Sequence, residues 1–224
     1  MLFRSRDIKP TNDTTGITTY FRNNLDTTNF ISINTGSWTF TNYNGVAWVA
    51  SPNESVNQAR IWCKLIPAVR QTNNWRATMS FGPVVVARKT GASSQSVWGL
   101  GACTSTNGKW YVIGGYGNNS YSTFSVGPLE FATPTSSAAW SLGGANCGPW
   151  GAMELSTPIT VRWTYTAATS NLAWSISHNG IGNIRFVSVG SSNNIAPLTA
   201  IGIVGNDQVS EAPQFPVRAL TFEH

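Results

Sequence analysis

The feature that most narrows the fold is an alternation of side-chain character between Ile159 and Ser177. Ile159, Val161, Trp163 and Tyr165 fall on one side of an extended chain and Thr160, Arg162, Thr164 and Thr166 on the other. This is the period-2 pattern of a strand with one covered and one wet face. After residues 167–171 the alternation resumes, with Leu172, Trp174 and Ile176 against Ala173, Ser175 and Ser177. Beyond the turn residues Asn179, Gly180 and Gly182, a third run sets Ile184, Phe186 and Ser188 against Arg185, Val187 and Val189. The stretch reads as a three-stranded antiparallel meander. Its apolar face has to be covered, so the rest of the chain must supply a second sheet.

Similar signals recur upstream and downstream. Trp38, Phe40 and Asn42 alternate with Thr39, Thr41 and Tyr43, and Asn44-Gly45 then provides the chemistry of a tight hairpin before Val46-Ala47-Trp48-Val49. Arg60 to Ile66 is a further strand, and Trp75, Ala77, Met79 and Phe81 share a face. Pro83 separates them from Val84-Val85-Val86-Ala87, a run expected to be buried on both sides. Val97 to Cys103 and Lys109 to Gly115 flank Ser105-Thr106-Asn107-Gly108 as a second hairpin, followed by a glycine-rich loop from Gly114 to Tyr121. Edge strands and long loops are expected from Phe124 to Pro158, and strands again at Ala200 to Val204 and Val217 to Phe222. No helical period persists for three turns, so the chain is all-β, with about a dozen strands.

Composition adds exclusions. The 224 residues contain no linker-like break, and a single sandwich domain is expected over residues 30–224. Only 10% of residues are charged, so neutral Ser, Thr, Asn and Gly carry solubility. Ten Trp and ten Phe each remove about 150–250 Å² from water when buried, so most of them belong to the core. The net charge is +5, but the longest basic run is Arg88-Lys89, which is no nucleic-acid footprint. Cys63, Cys103 and Cys147 lack disulfide or zinc spacing and are expected as buried thiols. No segment has the length of a membrane span, and the start Leu2-Phe3-Arg4-Ser5-Arg6-Asp7 lacks the apolar core of a secretory signal. A product made in a cytoplasm is expected, without membrane insertion.

Residues 1–29 carry Arg4, Arg6, Lys9 and Arg22 among Thr and Asn, with few apolar residues. They are expected to form an extended N-terminal arm, either a loose terminus or an assembly anchor laid along a neighbouring subunit.

Catalytic constellations are sparse. Glycosidic hydrolysis needs two carboxyl groups flanking the scissile bond, and the central candidates, Glu130 and Glu154, lie in separate segments without evident mutual spacing. His178 and His224 do not make a metal triad, no G-x-S-x-G occurs, and GKWYVIGGYG opens no helix that would bind phosphate. No catalytic residue, metal or cofactor is assigned. Sugar binding suits the composition, because aromatic faces cover the C–H side of a pyranose while amides and hydroxyls bond its rim. Tyr116, Asn118, Asn119 and Tyr121, with Trp150 after Pro149, form the candidate glycan set. The competing reading is that they cap the edges of the sandwich.

Three passages carry a family resemblance: ITVRWTYTAATSNLAWSISHNG, TAIGIVGND and PVRALTFEH. They resemble the paired strands, the "vGi" strand and the final strand of the concanavalin A-like lectin and glucanase superfamily. The resemblance implies a two-sheet antiparallel jelly-roll sandwich whose terminal strand lies beside the first, with Leu220 to Phe222 next to Trp38 to Phe40. The glucanase strand bearing two Glu around an Asp is absent, and Asp207 with Glu211 is the nearest approach to a lectin calcium set. Domains of this kind are found in bacteriophage virion proteins. The resulting expectation is a non-enzymatic virion structural or adhesion protein: a phage tail, fibre or capsid-decorating subunit. Its partners would be other virion subunits, copies of itself in a trimer, and a cell-surface glycan. A free carbohydrate-binding module and a degenerate glycoside hydrolase are the alternatives.

Overall fold

The computed structural model describes residues 17–22, 30–43, 46–52, 54, 56–82, 97–117, 124–139, 147–150, 159–177, 187–207 and 214–224. The strands among them build two antiparallel sheets. The first runs in the order β14 (Val187–Ser192), β13 (Asn171–Ser177), β12 (Ile159–Thr166), β6 (Trp75–Phe81), β16 (Gln214–Glu223), β4 (Val46–Ala50) and β3 (Thr39–Tyr43). β1 (Ile17–Arg22) pairs with the second half of β16, on the edge whose first half takes β4. The second sheet runs β10 (Ala138–Ala139), β9 (Phe124–Phe131), β8 (Trp110–Gly117), β7 (Val97–Cys103), β15 (Ala200–Asp207), β5 (Val56–Leu65) and β2 (Ile31–Ile33). β11 (Cys147–Trp150) also pairs with β9. Helical structure among the described residues is confined to short pieces such as α1 (Ala68–Gln71) and a 3-10 turn at Ala167–Thr169.

The alternation in sequence becomes burial in three dimensions. Val161, Trp163, Tyr165, Leu172, Trp174 and Ile176 are buried, while Arg162, Thr164, Ala173 and Ser175 are only half-buried. Trp163 stands opposite Trp174, and the apolar face of this first sheet meets Trp98, Leu100, Ile113, Ile201 and Ile203 of the second. The indole N–H of Trp163 donates to the Leu100 carbonyl at 3.0 Å, a direct bond from one sheet to the other. Among the described residues seven tryptophans are buried: Trp38, Trp62, Trp75, Trp98, Trp110, Trp163 and Trp174. The aromatic load therefore serves mainly as core, each fully buried large side chain contributing about 1.5–3 kcal/mol before entropy is subtracted.

The second sheet has a further core on its other face, which the sequence pattern does not announce. Ala59, Ile61, Cys63, Val97, Cys103, Trp110, Val112, Leu129, Phe131, Ala200 and Val204 form a separate buried cluster. Every residue of β7 and of β15 is buried as a result. The sheet achieves this by curling. The turn after β9 reaches β5, four places away in the sheet order, where the Pro134 carbonyl accepts from the Ala59 amide at 2.9 Å and from Asn34 Nδ2 at 3.1 Å.

Several expectations are revised. The third strand of the meander is described from Val187, which pairs with Ile176; Ile184 and Phe186, expected to open it, lie outside the described residues. A register shift between Trp174 and Ser175 accompanies this pairing. Gly114 to Gly117, expected in a loop, continue β8, because the flanking strands β7 and β9 pair with them along their length. Trp38 to Phe40 do not adjoin Leu220 to Phe222. β3 pairs with β4, and the neighbour of Leu220 on that side is Phe21 of β1. Ile17–Arg22, expected to belong to an extended arm that is either a loose terminus or an assembly anchor, pairs within its own chain, with Arg22 opposite Ala219. The run Val84-Val85-Val86-Ala87 and the arm residues Arg4, Arg6 and Lys9 lie outside the described residues.

Candidate functional site

Antiparallel register decides which of the candidate glycan residues approach one another. Tyr116 on β8 stands opposite Val97 of β7 and Ser125 of β9. One residue on, Gly117 pairs with Phe124, and Phe124 in turn pairs with Trp150 of β11. Tyr116 and Trp150 are therefore brought to the same end of the second sheet, the end from which residues 118–123 connect β8 to β9 in sequence. Asn118, Asn119 and Tyr121 belong to that connection and lie outside the described residues.

The same end holds a polar group that the sequence did not single out. Asn206 of β15 pairs with Val97, which places it in one register row with Tyr116 and Ser125. Its Nδ2 donates to Asn57 Oδ1 at 2.9 Å and to the Gln58 carbonyl at 3.3 Å. The side chain is fully buried, and its Oδ1 has no hydrogen-bond partner among the described residues. Next to it, Asp207 is also fully buried and accepts a 2.6 Å hydrogen bond from Ser51 Oγ. Ser51 follows β4 of the first sheet, so this bond ties the two sheets together at the rim. Only tertiary structure shows the tie, since the partners stand 156 residues apart.

A second polar cluster plugs the adjoining edge. Trp38 Nε1 and Arg60 Nε both donate to Glu54 Oε1, at 2.6 and 2.7 Å, and a second Arg60 nitrogen donates to the Asn34 carbonyl at 2.9 Å. Asn34 Nδ2 reaches the Gln58 side chain and the Ala59 carbonyl as well as Pro134. Asn34 and Gly36 both take positive φ, 51° and 55°, so the turn after β2 uses the two residue types that tolerate this conformation best.

Glu130 and Glu154, the acids weighed for a catalytic pair and not assigned as one, are not brought together by anything described. Glu130 of β9 pairs with Lys109 Nζ at 3.0 Å, and Glu154 lies outside the described residues. The other described carboxylates are also engaged: Glu54 with Arg60, Glu223 with Arg76 at 3.7 Å, and Asp207 with Ser51. Among the described residues no cluster of three His, Cys, Asp or Glu could hold a metal ion. His178 and Glu211 lie outside the described residues. His224 stacks on Phe222, with ring centroids 5.8 Å apart, and burial together with the nearby Arg70 holds its pKa below the ordinary value.

Cys63 and Cys103 are buried free thiols. Burial pushes both up to about 12, so neither is a nucleophile at neutral pH. Cys147 lies on β11, opposite Val126.

No protein-family model matches the sequence, and no curated protein does. Solved structures do match. A legume lectin-like domain from Entamoeba histolytica superposes with a TM-score of 0.54 at 13% identity, over 87% of this chain and 89% of that one. The CBM2 module of the evolved Dit of Lactobacillus casei BL23 phage J-1 gives 0.54 at 13% identity, over 95% and 91%. Arcelin-5, a lectin-like defence protein from Phaseolus vulgaris, gives 0.51 at 12% identity, over 92% and 97%. At such identities the likeness is one of architecture. Two antiparallel sheets packed over an aromatic core, matched along nearly the whole chain by lectin-like domains, make this protein a concanavalin A-like jelly roll in fold.

Proposed function

We propose that the protein is a non-enzymatic structural or adhesion subunit of a bacteriophage virion, in a tail, fibre or capsid-decorating position, and that its sandwich attaches to a host glycan. The observation that carries this reading is the likeness to a carbohydrate-binding module of a phage protein, which extends over 95% of this chain. The glycan is bound at the end of the second sheet by Tyr116, Asn118, Asn119, Tyr121 and Trp150. Aromatic rings there cover the sugar's C–H face, and the amides bond its hydroxyls. The register neighbourhood of Tyr116 and Trp150 supports a shared subsite.

Assembly into a homo-oligomer, taken as a trimer, uses residues 1–16 with Arg4, Arg6 and Lys9, and the strand that ends at Arg22. A glycan array tests the binding half of this reading. Saturable binding is expected, and replacing Tyr116, Tyr121 or Trp150 by Ala abolishes it. Sugar binding that survives all three substitutions rejects the site. A free carbohydrate-binding module would bind glycans as a monomer whose size deletion of residues 1–16 leaves unchanged. Polysaccharide turnover that is lost in Glu130→Gln or Glu154→Gln would replace the proposal with a hydrolase.

A further inference from the structure

Exposed apolar surface among the described residues is concentrated at one corner. The large hydrophobic side chains left exposed are Ile31 on β2, Leu65 at the end of β5 and Val69 on α1, at 41%, 55% and 75%. Ile31 pairs with Cys63, so Leu65, two residues further along β5, lies on the same face as Ile31. The chain then turns at Ile66-Pro67 and presents Val69.

This tip is held rigidly. Ile66 is buried, and its amide donates to the Thr199 carbonyl at 2.8 Å. Gln71 Nε2 returns to the Ile66 carbonyl at 3.0 Å, Asn73 Nδ2 caps the Val69 carbonyl at 3.1 Å, and the Arg70 amide bonds the Pro67 carbonyl at 2.7 Å. A partner would meet an apolar surface already ordered, which removes much of the entropic cost of docking.

Two further features define that partner. β2 is the last strand of its sheet, and among the described residues nothing pairs with its outer edge, which leaves backbone N–H and C=O groups as a template for another strand. The hydrocarbon of a bilayer offers such groups no hydrogen bonds. Two cations also stand there: Lys64, whose ammonium lies 4.5 Å from the Phe30 ring centre, and Arg70. Residues 30–33 and 63–74 contain no carboxylate.

We propose that this corner docks an extended strand of a neighbouring protein chain, with alternate apolar residues and carboxylates at its ends, added to the edge of β2. The idea rests on the reading of the molecule as an assembling subunit, and is independent of the glycan set. Isotope-labelled full-length protein is titrated with the synthetic peptide Glu-Glu-Val-Thr-Val-Thr-Glu-Glu and with its Lys-flanked counterpart, and amide resonances are followed.

The acidic peptide is expected to shift residues 30–33 and 64–70, more weakly at high salt. Leu65→Glu and Val69→Glu are each expected to weaken it roughly tenfold without changing the melting temperature. Equal binding of the Lys-flanked peptide, no binding of either, or shifts elsewhere would overturn the proposal. So would co-sedimentation with phosphatidylserine vesicles that is lost in Leu65→Glu while neither peptide binds. Failure here with intact glycan binding rejects the corner alone; loss of sugar binding with intact peptide binding rejects the glycan reading.

Discussion

Trp38 and Arg60 meet on a single carboxylate oxygen, that of Glu54. The Trp38 ring lies against Gly205 so closely that a β-carbon there would collide with it, and the Arg60 guanidinium stacks its atoms 3.6–3.8 Å from the place a Gly36 side chain would occupy. One acid thus fixes an indole and a guanidinium from different segments. Because the Arg60 side chain is only 7% exposed, removing its counter-ion leaves a buried charge unpaired. Glu54→Ala is expected to cost about 3–5 kcal/mol. Trp38→Phe, which keeps most of the ring, loses about 1 kcal/mol for the missing donor. Urea unfolding followed by tryptophan fluorescence measures both.

The curl of the second sheet is latched by Asn34, whose amide nitrogen serves three acceptors around Pro134 and β5. Asn34→Gly retains the positive φ but releases those acceptors, and about 1–3 kcal/mol is expected to be lost. Asn34→Ala adds the left-handed strain of roughly 1 kcal/mol and should be the less stable of the two. Hydrogen exchange at the Ala59 amide, which donates to Pro134, reports the opening directly.

Gly202 sits opposite Cys63 where β15 pairs with β5, with no room to spare. A methyl group there would lie 2.5 Å from the Trp62 carbonyl oxygen and 2.7 Å from Cys63 Cβ. Backbone has to move, so Gly202→Ala is expected to cost about 1–3 kcal/mol and to lower the thermal midpoint. A calorimetric scan that matches the parent chain would show the strand pair to be more pliable than its geometry implies.

The thiols make a pH prediction. Their folded values, raised to about 12 from an ordinary 9.0, mean that the unfolded chain ionises first. Stability associated with these groups is complete below about pH 9 and is lost as pH climbs toward 12, because the unfolded state releases protons that the native state retains. Thermal midpoints recorded from pH 8 to 11 should fall less steeply in Cys63→Ala/Cys103→Ala than in the parent. Parallel slopes would exclude the thiols as the cause.

Much of the sandwich was legible in the chain because its strands alternate. Val161, Trp163 and Tyr165 against Arg162 and Thr164 described β12 without help, and Tyr43 indeed faces Val46, leaving only Asn44-Gly45 between them. Gly114 to Gly117 hid a strand because glycine has no side chain to alternate, and its place is set by the neighbours on both sides. The third strand of the meander is seen from Val187, opposite Ile176, while Ile184 and Phe186 lie outside the described residues. The Glu54 cluster and the Ser51–Asp207 tie join residues from distant segments, so no local pattern signals them. Of the candidate glycan set, the aromatic composition pointed to Tyr116 and Trp150, while Asn206 reads locally as a strand-end polar residue. Its position in the Tyr116 row appears only once β15 is seen beside β7.

The placement of β16 carries one more consequence. Gln214–Glu223 lies inside the first sheet, holding β6 along one edge and β4 and β1 along the other. Until these ten residues are made, the described strands of that sheet stay in three unconnected parts: β14 to β6, β4 with β3, and β1 alone. Nascent chains halted before Gln214 should therefore be open to protease and to chaperones, and folding should proceed as a late, slow closure.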